Sequence, residues 1–206
     1  MNGRNYQDMK APELLEAKKR RILASACRLL VKHGFQNISL DEVARSAGVA
    51  KGTLFLHYKN KSDLFSAVFA DMVDRLGDEL EKVVASGRRG RALLDETTRV
   101  ILTHFDRYHD FVANFSSGAF PACTQRCGEK LTDKFRRNYN QVSKILLICR
   151  SDGLFKSGSI PFASTALFGL CRSAMMLRAA RKANYPLAGK SAEVVRFFLS
   201  GMGGKG

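Results

Sequence analysis

Apolar side chains recur along this chain at the three- and four-residue spacing of amphipathic helices, interrupted by short Gly-, Pro- and Asn-containing breaks. The first such stripe, Ile22, Ala26, Leu29 and Leu30, predicts a helix over residues 13–33, closed by Gly34. Ser39 followed by Glu42 forms a capping-box signature and opens a short helix over 40–47 whose inward positions are Leu40, Val43, Ala44 and Ala47. Gly48 and Val49 then make a tight turn into a third short helix over 51–58. Ser62 is read as the cap of a long helix reaching residue 85, with Phe65, Val68, Phe69, Met72, Leu76, Leu80 and Val83 on its stripe. Further helices are predicted over 92–116, 124–151, 161–183 and 191–202, and no segment alternates as a strand would. The expected fold is therefore all-α, about nine helices in all: an N-terminal three-helix unit over 13–61, a larger helical domain over 62–202, a loose arm over 1–12 and a tail over 203–206.

Charge sharpens that division. The 206 residues carry a net charge of +15. Residues 1–61 hold twelve Lys and Arg against five Asp and Glu, and residues 62–206 hold twenty-two against fourteen. The basic excess per residue is thus about twice as dense in the first segment, which favours a polyanionic partner through counterion release. No apolar run approaching a bilayer span is read from the sequence, and the polar first ten residues lack a signal-peptide core, so a cytoplasmic location and no membrane partner are expected. Five cysteines, an odd number, argue against a disulfide framework.

Two helices crossing at small residues and joined by a glycine turn follow the helix-turn-helix plan. Ala44 and Ala47 permit a close crossing, Val49 and Leu54 pack the second helix on the first, and Lys51, Thr53, His57 and the edges of Phe55 and Tyr58 are left for base edges and phosphates. The run ISLDEVARSAGVAKGTLFLHYKNKSDL over 38–64, with Ile22 to Ala26 and Gly34-Phe35 before it, resembles the DNA-binding signature of TetR-family regulators. The resemblance covers about residues 18–70. It implies a homodimeric transcriptional regulator, most often a repressor, that binds a palindromic double-stranded operator and responds to a small-molecule effector. It places Lys51, Gly52, Thr53, Phe55, His57 and Tyr58 on the recognition helix, Lys61 on phosphate at the start of the fourth helix, and Ser39 on phosphate at the second. Leu56 faces either a thymine methyl or the core. Packing is an alternative role for Tyr58, and plain solvation is one for His57, Lys51 and Lys61.

The same resemblance implies dimerisation through the last two long helices and an effector pocket among the middle ones. Small residues Ala163, Ala166, Gly169 and Ala174 suit close helix approach, and Val194, Val195, Phe198 and Leu199 offer an apolar face on the final helix. Phe105, Tyr108, Phe111, Phe115, Phe120, Phe135, Tyr139 and Met175 are the candidate pocket lining, or else plain core, and they suggest a lipophilic or aromatic effector. An alternative is a thiol-based redox or electrophile sensor using Cys123 and Cys127, four residues apart beside Arg126 and Lys130. A third reading is an enzyme or carrier with a vestigial head. No phosphate-binding glycine loop, nucleophile elbow or HExxH pair stands in the sequence, so no enzymatic activity, metal or cofactor is expected.

Overall fold

The computed structural model describes residues 11–34, 36–108, 121–156 and 158–203, and within these the side chains of 11, 12, 31 and 121–130 are not described. The expected arm over 1–12 and the tail over 203–206 fall largely outside that set. Among the described residues eight α-helices follow in order: α1 (Ala11–His33), α2 (Leu40–Ala47), α3 (Lys51–His57), α4 (Lys61–Ala85), α5 (Gly90–Arg107), α6 (Pro121–Ser151), α7 (Ile160–Ala180) and α8 (Ser191–Gly201). A 3-10 turn, Leu187–Lys190, precedes α8. Among the described residues there is no strand.

The chain forms two compact units, one of Met1–Asp71 with Asn114–Cys127, the other of Met72–Ala113 with Gly128–Gly206. The first unit closes around Ile22, Leu23, Ala26 and Leu30 of α1, Val43, Ala44 and Ala47 of α2, Leu54 of α3, and Leu64, Phe65 and Val68 of α4, all buried. Asn60, not Ser62, caps α4: its Oδ1 accepts the Asp63 N–H at 2.9 Å. An Asn side chain reaches the orphan N–H three residues on from just outside the helix, and α4 accordingly begins at Lys61.

The second unit has the larger core, built from Leu76, Leu80, Leu94, Ile101, Val142, Leu146, Phe155, Leu167, Cys171, Val195, Phe198 and their neighbours. Long-range polar links tie its helices. Asp152 accepts the Gly90 N–H at 2.8 Å at the α5 N-terminus and pairs with Arg89. Arg137 on α6 pairs with Asp78 at 2.8 Å and Glu81 at 2.9 Å on α4. The Asn138 and Arg137 side chains lie over Gly77 of α4, where a Cβ would stand 2.7 Å from Asn138 Oδ1. Arg178, buried on α7, pairs with Asp106 at the end of α5 and donates to Tyr185 O at 3.1 Å, while Asp106 also accepts the Leu187 N–H at 3.1 Å.

Three further sequence expectations change here. The helix expected over 92–116 ends at Arg107, with Tyr108 as its C-cap. α7 is long and apolar enough to cross a membrane by length and composition, contrary to the expectation that no segment is; its Ala163, Leu167, Cys171 and Met175 are instead buried in the core of its unit. Val194, Val195, Phe198 and Leu199, expected to face a second subunit, are buried in the same core. A helix apolar on more than one side does not disclose from sequence which side turns inward.

Candidate nucleic-acid interface

The candidate interface is built on α2 and α3. Ser39 holds an extended backbone and starts α2 through a reciprocal capping box: its Oγ accepts the Glu42 N–H at 3.2 Å, and the Glu42 carboxylate accepts the Ser39 N–H at 2.8 Å. The Ser39 hydroxyl also donates to that carboxylate at 3.0 Å. The Ser39 backbone N–H, and then its hydroxyl, hold the Glu42 carboxyl below its ordinary value. The hydroxyl expected to donate to phosphate is thus already engaged in the isolated chain.

At the other end of α2, Gly48 adopts the left-handed conformation, φ 61°, that a tight helix stop requires. Its N–H bonds to Arg45 O at 3.1 Å, and the Val49 N–H to Ala44 O at 3.0 Å. α3 follows three residues later. Successive residues turn about 100° around its axis, so positions four apart share a side. Leu54 and Tyr58 take the inward side and are buried. Lys51 and Phe55 share one exposed side, Gly52 and Leu56 the next, and Thr53 and His57 are half-buried at the margin. Leu56 is 88% exposed, which settles its direction as outward.

Lys51 Nζ lies 2.8 Å from the Asp41 carboxylate and 5.9 Å from the centre of the Phe55 ring. Lys61 is half-buried and donates to Gln36 O at 3.2 Å; desolvation lowers its ammonium from the ordinary value, with Glu42 opposing. Nothing stands within 4 Å of where a Cβ on Gly52 would lie. A glycine inside a helix costs about 0.5–1 kcal/mol relative to alanine, and no group of this chain requires one there.

Tyr58 departs from the exposed set expected for the recognition helix. It is only 6% exposed, and burial, with the charges of Asp71 and Glu16, pushes its phenol up to about 12. The reason is its place four residues after Leu54, on the side turned toward the core.

The residues expected around an effector are spread more widely. Tyr108 and Met175 are buried, the Tyr108 ring lying 4.8 Å from that of His104, and Phe105 is half-buried against the core of the second unit. Phe135 and Tyr139 are on the outer side of α6, Tyr139 with its ring 5.0 Å from Phe168. The inward stripe of α6 is instead Leu131, Asn138, Val142, Ile145 and Cys149. Phe111, Phe115 and Phe120 lie outside the described residues, as do the side chains of Cys123 and Cys127. Cys149 and Cys171 are buried, and desolvation pushes the Cys149 thiol up to about 12 and the Cys171 thiol also well up.

Residues 22–68 match the family model described as bacterial regulatory proteins of the tetR family. The HTH-type transcriptional regulator AcrR of Shigella flexneri is 37% identical over 73 residues, which take in 35% of this chain and 34% of that relative. A fatty acid metabolism regulator protein of Bacillus subtilis is 22% identical over 192 residues, 91% of this chain and 97% of the relative. The solved structure of the transcriptional regulator FadR of Bacillus subtilis in complex with stearoyl-CoA has a similar fold, with a TM-score of 0.70 at 19% identity over 88% of this chain and 98% of that one. With its capped and glycine-turned helix pair, the head of the chain, residues 22–68, matches the tetR family of bacterial regulatory proteins, and the chain as a whole is similar to TetR-family transcriptional regulators.

Proposed function

We propose that this regulator is a homodimeric repressor whose α3 enters the major groove of a palindromic operator, and that a long-chain acyl-CoA releases it. The observation that carries the DNA reading is α3 itself: Leu54 and Tyr58 anchor one side, while Lys51, Gly52, Phe55 and Leu56 are exposed on the others. Lys51, Thr53 and His57 supply donors to bases and phosphates, Phe55 and Leu56 supply apolar contact to thymine methyls, and Gly52 lets backbone approach closely. Lys61 and the N-terminus of α2 flank this surface as phosphate contacts, and Tyr58 serves as its core anchor.

Self-association uses the sides of α7 and α8 turned away from their core. Phe162, Met176, Leu177 and Phe197 are 65%, 52%, 46% and 58% exposed there, an apolar display that favours a second copy of the chain. Paired heads then reach successive grooves about 34–36 Å apart. The acyl-CoA reading rests on the full-length likeness to a regulator named for fatty acid metabolism, and on the similar fold of a transcriptional regulator solved with stearoyl-CoA. For a hundredfold release the effector must favour the non-binding state by about 2.7 kcal/mol, within ordinary coupling.

The test is fluorescence anisotropy on a duplex enriched from a random pool by the full chain. Lys51→Ala weakens binding to all duplexes and lowers the salt slope by less than the about 0.9 of an unpaired cation, because Lys51 starts out paired with Asp41. Gly52→Ala raises or preserves the melting temperature, since helix propensity improves by up to about 1 kcal/mol, while operator affinity falls. Stearoyl-CoA releases the duplex and free CoA does not. If Cys123→Ser and Cys127→Ser variants keep that release, thiol chemistry is excluded as the trigger. A chain that retains no duplex at low salt overturns the proposal.

A further inference from the structure

The turn between α2 and α3 is gripped from outside the motif. Arg21, on α1, projects its guanidinium onto the turn, where Nη2 donates to Ala47 O at 2.6 Å and to Gly48 O at 3.1 Å. The turn's own backbone bonds use the carbonyls of Ala44 and Arg45, so Arg21 takes two carbonyls that those bonds leave over. A cation over the last carbonyls of a helix is also favoured by the helix dipole. The fit is close: a Cβ on Gly48 would stand 2.6 Å from Nη2. Gly48 is demanded by its left-handed φ, and a side chain there would also push the guanidinium off its place above the turn.

This grip matters because the other polar tie on the start of α3, the Lys51–Asp41 pair, is solvent-exposed on both sides and weak for that reason. Ala50, its N-cap, makes no side-chain cap bond, and its described burial into the first unit comes from Leu54 and the capping Tyr58. A helix of this length is about 10 Å long, so a tilt of about 10° at the turn moves its far end by nearly 2 Å. A hydrogen bond to a base edge tolerates only a few tenths of an ångström. We infer that Arg21 is a positioning residue for DNA reading: it sets the direction of α3 by holding the turn, and so governs discrimination between sequences without touching DNA. The inference deepens the proposed operator binding and rests on it.

The experiment compares wild type, Arg21→Met and Arg21→Lys as full chains, on the pool-enriched duplex and on a base-scrambled version, across a salt series and below each variant's melting temperature. For Arg21→Met the expected result is about a tenfold loss on the enriched duplex, the scale of one charge-assisted bond, with less than about a twofold loss on the scrambled one and an unchanged salt slope. Should Arg21→Met not fold, Arg21→Lys is read instead. One ammonium cannot span both carbonyls as a guanidinium does, so its selectivity falls by about threefold, and wild-type selectivity in Arg21→Lys then overturns the inference. Equal losses on both duplexes with a slope lowered by about 0.9 make Arg21 a phosphate contact and also overturn it. Wild-type selectivity in Arg21→Met overturns the positioning role alone, whereas a wild-type chain that prefers no duplex removes the operator reading beneath it.

Discussion

The two units of this chain are stabilised in different ways. In the first, the polar links are short or span one motif: Ser39 to Glu42, Lys51 to Asp41, Lys61 to Gln36 and Arg21 to Ala47 join residues between 3 and 26 positions apart. In the second, Arg137 to Glu81, Arg89 to Asp152, Arg178 to Asp106 and Leu187 to Asp106 join residues 56 to 81 positions apart. A unit held by local rules displays itself in its sequence. A unit whose helices are locked by distant partners displays its helices but not how each is rotated.

That contrast can be broken at several points, beginning with the largest effect. Leu54→Ala empties a fully buried site in the first unit and costs about 4 kcal/mol. Calorimetry then shows two transitions if the second unit keeps its fold, and a single lowered one if the units melt together. Arg178→Met leaves Asp106 without its buried partner and costs about 3 kcal/mol, read as a lowered denaturation midpoint. Because that link is long-range, the loss falls on the second unit, and operator binding survives where the dimer does. Ser39→Ala removes the capping box and costs about 1 kcal/mol, seen as a melting shift of a few degrees. The smallest effect is Glu79→Gln. His104 and Arg107 hold the Glu79 carboxyl below its ordinary value of 4.5 despite partial burial. Its contribution is therefore complete at neutral pH and is lost as pH falls through that lowered value. The gap in urea midpoint between wild type and variant narrows on acidification, and a gap that is constant with pH excludes this linkage.

The sequence carried the head almost whole. The capping box at Ser39, the glycine stop at 48 and the inward Leu54 were all legible, because each is a local rule with a local signature. Tyr58 was ambiguous until its position relative to Leu54 could be seen in the fold. Arg21 gave no signal at all: it is one of four consecutive cations, and nothing local distinguishes the one that meets a turn 26 residues later. In the second unit the helices were legible, yet Phe135 and Tyr139 face outward and Val194, Val195, Phe198 and Leu199 inward. Their spacing fits either side of an apolar helix, and packing against distant neighbours made the choice.

The bond between Lys51 and Asp41 has an effect on the thermodynamics of complex formation. When a phosphate displaces that carboxylate, condensed cations leave the DNA, but the freed Asp41 carboxylate gathers cations of its own. The entropy gained per neutralised phosphate is then smaller than for a bare ammonium, and binding at this position responds less to added salt than a count of exposed cations implies.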